Sequence, residues 1–113
     1  GFVQGAGWLT IEEVNWKSNG ELTTHSPSTY KIPAVNDMPE KFNVAIFKNL
    51  NKENVVNKSK TTGEPPLMLA MSVFFAIKDA IASVGNYTKI PKLNAPATPE
   101  AILLSIKDLK SRL

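Results

Sequence analysis

The sequence predicts an α+β fold, and three features predict it. A nearly all-apolar run, Leu67 to Ile77, broken only by Ser72, follows Gly63-Glu64-Pro65-Pro66 and reads as a central helix. Polarity alternates on both sides of Asn19-Gly20 and again over residues 42–47, which is the period of strands. Thr98-Pro99-Glu100 opens an amphipathic segment that reads as a C-terminal helix. The expected architecture is an N-terminal helix or turn, a hairpin, one or two short strands, a buried central helix and a C-terminal helix. Its 113 residues suffice for one small domain with a modest core.

In chain order, the opening Gly1-Phe2-Val3-Gln4-Gly5-Ala6-Gly7-Trp8-Leu9 sets Phe2, Ala6 and Leu9 at helical spacing, with glycines that permit close backbone approach. Gly5-Ala6-Gly7 lacks the third glycine and the preceding strand of a nucleotide loop. A chain that starts inside such a pattern reads as cut from something longer. Residues 13–17 and 21–24 flank Ser18-Asn19-Gly20 as a hairpin. Pro27, Pro33 and Pro39 make the following stretch an irregular surface loop, of the kind that often carries function. His25 is the only histidine and has no partner at ligand spacing, so a structural role is expected.

Phe42, Val44 and Ile46 share one face of a predicted strand, and Val55-Val56 a shorter one beyond the polar turn 49–54. The central helix should run from about Pro66 to Val84, end at Gly85-Asn86 and acquire a wet side at Lys78, Asp79 and Ser83. Its apolar run is too short for the roughly 20 residues of a membrane span, so a core helix is expected. It is also too apolar for a domain of this size to cover, which implies more protein around it. After a linker holding Pro91 and Pro96, Thr98 supplies the capping hydroxyl. Ile102, Ile106, Leu109 and Leu113 then form the apolar stripe, with Lys107, Lys110 and Arg112 toward the negative helix end.

Composition removes several function classes. The net charge of +3 is spread over scattered lysines mixed with acids, and no basic stripe is interleaved with aromatics, so nucleic acid is not an expected partner. No cysteine is present, which excludes disulfides, Cys-ligated iron–sulfur clusters, zinc-thiolate sites and a thiol nucleophile within the chain. A cytoplasmic location is the expectation. The start lacks the charged region and apolar run of a secretory signal.

Glu64 is the leading candidate for chemistry. Glycine on one side and two prolines on the other hold it at the mouth of an apolar helix, just outside the first turn. A carboxylate there faces the positive helix end, and a fixed proton acceptor needs that kind of rigid seat. An ordinary capping glutamate has the same local pattern. Glu12 and Glu13 are sequence neighbours and point to different sides, so they do not form a shared acid–base pair.

Several motifs in order carry a resemblance. Phe2-Val3-Gln4-Gly5 with Gly7, Pro27-Ser28-Thr29-Tyr30-Lys31-Ile32-Pro33, Ser59-Lys60, Gly63-Glu64-Pro65-Pro66-Leu67 running into Phe74-Phe75-Ala76-Ile77-Lys78-Asp79-Ala80, and Ala95-Pro96-Ala97-Thr98-Pro99-Glu100 cover nearly the whole chain. Together they resemble the C-terminal part of the molybdenum-binding subunit or domain of the xanthine dehydrogenase family of molybdenum hydroxylases. Thr61-Thr62 departs from the small-plus-aliphatic pair expected before the glycine, which bears on the fine setting of that loop.

The resemblance implies that residues 1–113 are a single C-terminal fragment of a larger molybdopterin-binding domain. It implies an oxidoreductase that takes hypoxanthine and xanthine to urate in purine catabolism, or hydroxylates a related aldehyde or heterocycle. Glu64 aligns with the family's glutamate general base, and partial desolvation would strengthen that role. Gln4 lies in a motif that approaches the pterin side of the cofactor, where packing or a backbone hydrogen bond is an equal expectation. Ser59 and Lys60 are expected to position the glutamate loop. No residue is expected to ligate the metal directly. Iron–sulfur clusters and FAD are expected on other domains or subunits, and the isolated chain is expected to be inactive. Trp8 and Trp16 are expected in a core or interface, and Phe74 and Phe75 in the core. The alternative outside enzymology is an interaction module that binds a partner, or a second copy of itself, through the apolar helix. No membrane partner is expected.

Overall fold

The computed structural model describes residues 1–61 and 63–113. Three α-helices carry the architecture: α1 (Phe2–Thr10), α2 (Glu64–Val84) and α3 (Pro99–Ser111). Short 3₁₀ turns lie at Val35–Asp37 and Val56–Lys58. α1 packs on the start of α2, and α3 packs on its second half.

α1 forms without a side-chain cap on Gly1. Tertiary contact compensates, because its small residues let the two helix backbones meet. A Cβ placed on Gly5 would lie 2.7 Å from Ala70 Cβ and 3.2 Å from Leu67 Cα. One placed on Gly1 would lie 2.5 Å from Pro66 Cβ. Both are closer than a side chain tolerates, so glycine is required here for space.

α2 starts two residues earlier than predicted, at Glu64, with Gly63 as its cap. Pro65 and Pro66 therefore occupy the first turn, whose backbone N–H groups have no partner inside the helix and are not missed. Glu64 is the first helical residue, where it was expected just outside. The helix ends at Gly85, as the sequence suggests, but Asn86 and Tyr87 take the left-handed backbone while Gly85 does not. Gly85 instead makes room for Leu109 and Leu113 of the C-terminal segment.

α3 matches its predicted start. Thr98 accepts a 3.2 Å hydrogen bond from the Ala101 N–H. The core is the cluster Ile81, Leu93, Ala97 and Leu109, with Phe74, Ile77, Ala101, Ile102 and Ile106 packed around it. The linker joins the two halves of the molecule: Ala97 N–H donates to Leu9 O of α1 at 2.7 Å. The Ala95–Pro96 peptide is cis. Asp108 pairs with Lys92 at 3.2 Å and Arg112 at 2.7 Å, and Arg112 also donates to Ile90 O. Partial burial pushes the Asp108 carboxyl up, but the hydrogen bonds and charges of Lys92 and Arg112 outweigh it and hold the group below the usual carboxylate range.

Three expectations are corrected. No strand forms among the described residues, so the α+β class reduces to helices and irregular chain. The expected hairpin is one antiparallel bridge, Trp16 to Leu22, around a turn that needs Gly20 at φ 85°. Residues 42–47 and Val55-Val56 pair with nothing among the described residues, and Val44 and Ile46 lie open to solvent. A strand needs a neighbour to accept its backbone hydrogen bonds, and two-stranded pieces are marginal alone.

The central helix is also not buried. Only Ala70, Ile81 and Ala82 of α2 are inaccessible, while Met68, Leu69 and Phe75 are more than half exposed. Phe75 thus stands outside the core that Phe74 joins. No other described element of this chain is in place to cover that face. With 21 residues, α2 is long and apolar enough to cross a membrane by length and composition, which the shorter apolar run did not suggest.

The consequence appears in the dimensions. The radius of gyration is 18.2 Å, where a compact chain of this length has roughly 13 Å. Substituting Gly5→Val should separate α1 from α2 and speed amide exchange throughout residues 2–10. Leu109→Ala should cost about 2–5 kcal/mol by urea unfolding, as for other fully buried leucines.

Candidate functional site

The two residues singled out for chemistry meet at one place. Glu64 and Gln4 line the same open cleft, about 330 Å³, together with Gly1, Gly5, Trp8, Gly63 and Leu67. The glycine contact builds it. Gln4 and Trp8 sit one helical turn apart on α1, so they share a face. Glu64 begins α2, in the first turn where acidic side chains favour the positive helix end. Because α1 rests directly on Pro66, Leu67 and Ala70, these faces converge.

The Glu64 carboxylate is exposed, so the desolvation expected for a base is not supplied by this chain. The cleft is an incomplete wall, apolar at Leu67 and Trp8 and polar at Gln4 and Glu64. No group of three or more His, Asp or Glu able to hold a metal ion occurs among the described residues. The polar groups present are one amide, which both donates and accepts hydrogen bonds, and one carboxylate, which accepts them.

Ser59 and Lys60 were expected to position the glutamate loop. Ser59 Oγ donates to Val56 O at 2.9 Å, and Ser59 O accepts from Asn51 Nδ2 at 3.2 Å, which secures its own turn. Neither residue bonds to Glu64. The departure noted at Thr61-Thr62 falls in part on Thr62, which lies outside the described residues. His25 is exposed, with Nδ1 3.2 Å from Thr23 O. Trp16 is exposed at the antiparallel bridge, and Trp8 is a cleft residue with half its surface open.

A second cavity, about 430 Å³, lies on the other side of Gln4 and Trp8 and is lined by Val3, Glu12, Tyr30, Ile32 and Pro33 as well. Glu12 is 7% exposed and accepts a hydrogen bond from the Tyr30 hydroxyl. This pair was not anticipated. Its members are 18 residues apart, and no local pattern announces the contact. Trp8 was legible in principle, since it follows Gln4 at the spacing that puts two side chains on one helix face.

Similarity to known proteins can be set on this geometry. The sequence profile of the molybdopterin cofactor-binding domain matches residues 1–39, which hold Gln4, Glu12 and Tyr30. The chain is 47% identical over 118 aligned residues to the xanthine dehydrogenase/oxidase of Felis catus, covering 99% of this chain and 9% of that protein. Nearly the whole chain is thus homologous to a segment of xanthine dehydrogenases. It is likewise 42% identical to xanthine dehydrogenase of Oryza sativa subsp. japonica and 44% to xanthine dehydrogenase 1 of Arabidopsis thaliana, covering 96% and 95% of this chain. In each case the chain spans 9% of the relative's length. The curated relatives it matches are therefore many times longer than this chain.

The bond to Glu12 raises the Tyr30 phenol above its ordinary value, with smaller contributions from partial burial and the carboxylate charge. The folded state thus holds the phenol proton more tightly than the unfolded state. This stabilisation is complete below the unfolded tyrosine value of about 10 and is lost as pH rises through the higher folded value. In an ultraviolet titration Tyr30 should ionise above the ordinary phenol value, and Glu12→Ala should return it there. A Tyr30 titration unchanged by Glu12→Ala would rule the bond out in solution.

Proposed function

We propose that this chain is the portion of a molybdenum-dependent xanthine dehydrogenase that carries the general base. The observation that supports it is the convergence of Glu64 and Gln4 on one cleft, in a chain whose likeness to xanthine dehydrogenases runs almost end to end. Bound molybdenum–molybdopterin supplies the oxidising power and the oxygen-transfer chemistry. Glu64 accepts the proton that must leave as the nucleophile forms, from a seat that the first turn of α2 keeps rigid. The Gln4 amide faces the pterin side and can both donate and accept a hydrogen bond. Leu67 and Trp8 form the apolar wall beside them, and the remainder of the parent domain completes the desolvation that a strong base needs.

On this reading the substrate is hypoxanthine or xanthine and the product urate, within purine catabolism in the cytoplasm. An aldehyde or another heterocycle hydroxylated by the same family is the second possibility, and the residues that choose between them lie outside this chain. Electrons leave through iron–sulfur clusters and FAD held by other domains or subunits. Residues 1–113 act as one C-terminal fragment of the cofactor-binding domain and are inactive alone. The exposed face of α2 is an intramolecular surface covered by the rest of that domain, and in isolation it promotes self-association. A membrane span is disfavoured because Lys78 and Asp79 interrupt the apolar character of the helix and because α1 and α3 already pack on its two halves. An independent interaction module would use the same face, but the near end-to-end likeness favours the enzyme.

The decisive variant is Glu64→Gln in the full-length enzyme. Turnover should fall by about 10²–10⁴-fold, the usual contribution of a general base, with molybdenum and pterin content intact. Near-normal turnover would refute the assignment. The 113-residue chain, purified from a host that makes the cofactor, should contain no molybdenum; stoichiometric metal would mean that these residues hold the group by themselves.

A further inference from the structure

The Glu12–Tyr30 pair has no part in the chemistry assigned above, yet it lies directly behind that cleft. Glu12 follows the end of α1 and is anchored there, its N–H donating to Gly7 O at 3.0 Å. Its carboxylate is almost wholly buried and accepts from the Tyr30 hydroxyl. Gly7 is enclosed by the same pair of elements: a Cβ there would lie 2.5 Å from both Glu12 Oε1 and Pro33 Cγ. α1 is thus gripped on two sides. The first turn of α2 holds it at Gly1 and Gly5, and the loop of Tyr30 and Pro33 holds it at Gly7. Gln4 and Trp8 project between these grips and line both cavities.

We propose that Tyr30 and Glu12 are positioning residues that clamp α1 and so set Gln4 against Glu64. Glu64 rides on α2 and Gln4 on α1, so their relative placement is only as fixed as the seating of α1. The α2 contact at Gly1 and Gly5 is apolar, and the Ala97 N–H to Leu9 O bond holds only the C-terminal end of α1. A hydrogen bond onto a buried carboxylate is directional, and losing the donor leaves a buried acceptor unsatisfied. The clamp therefore fixes what the glycine contact leaves free. The inference rests on the reading of Glu64 and Gln4 as an enzyme site, and the experiment separates the two.

In the full-length enzyme, Tyr30→Phe removes the donor and keeps the ring. It should lower kcat by about tenfold to a hundredfold, the scale of a displacement of order 1 Å, with molybdenum content unchanged. Glu12→Gln keeps an acceptor oxygen and should remain within about twofold of the parent. Tyr30→Phe combined with Gln4→Ala should be no slower than the slower single variant, because both act through one group. In the 113-residue chain, Tyr30→Phe should speed amide exchange across residues 5–12 and leave residues 102–111 unchanged. Multiplicative losses in the double variant would overturn the clamp, as would parent-like turnover of Tyr30→Phe, a loss that tracks missing molybdenum, or unaltered exchange in α1. Parent-like turnover of Gln4→Ala beside an inactive Glu64→Gln would overturn it too, since Gln4 would then need no positioning. Full turnover in Glu64→Gln would instead sink the base assignment, and the Tyr30–Gln4 coupling would still decide the clamp.

Discussion

α1 and α2 touch backbone to backbone because Gly1 and Gly5 present no side chain to Pro66, Leu67 and Ala70. That contact creates the candidate cleft. It brings the first residue of α2, which is Glu64, beside the exposed face of α1, which carries Gln4 and Trp8. A methyl group at Gly5 would push the helices apart by more than a core can absorb at no cost, since packed interiors resist even small changes in volume. The linker reinforces the arrangement from the far end, where Ala97 N–H bonds to Leu9 O and ties α1 to the core beneath α3.

The same chain leaves much apolar surface uncovered. The core is four buried side chains and a partly buried rim, whereas α2 and residues 42–47 expose several large hydrophobics. Burial contributes about 25 cal/mol per Å² of apolar surface, and at those positions it is simply not collected. A sequence that encodes a strand with one apolar face, and a helix apolar on all sides, is a sequence adapted to neighbours. The chain spans 9% of its relatives' length, and its described elements are too few to enclose these apolar faces.

The polar pairs divide into two kinds. Lys17–Glu21 and Lys92–Asp108 are solvent-accessible and contribute little to stability beyond local order. Tyr30–Glu12 holds a carboxylate that is largely withdrawn from solvent, where its one strong donor matters more. It also connects the irregular, proline-rich loop to α1, which explains how a segment without secondary structure holds a defined place near the cleft.

Local chemistry determined the elements that depend on neighbours in sequence. The Thr98 cap, the proline-rich start of α2, the turn at Gly20, the end of α2 at Gly85 and the apolar stripe of α3 all rest on contacts within a few residues, and they were legible without a structure. Glu64 also stands out locally, because glycine and two prolines flank it. Strands and burial were not decided this way, since each requires a partner that the alternation of Phe42, Val44 and Ile46 or the apolar run of α2 can request but not supply. The convergence of Gln4 on Glu64 spans some 60 residues of chain, and the bond from Tyr30 to Glu12 spans 18. Only tertiary structure brings such groups together, because the contacts responsible, glycine against helix and hydroxyl against buried carboxylate, leave no periodic trace in the sequence.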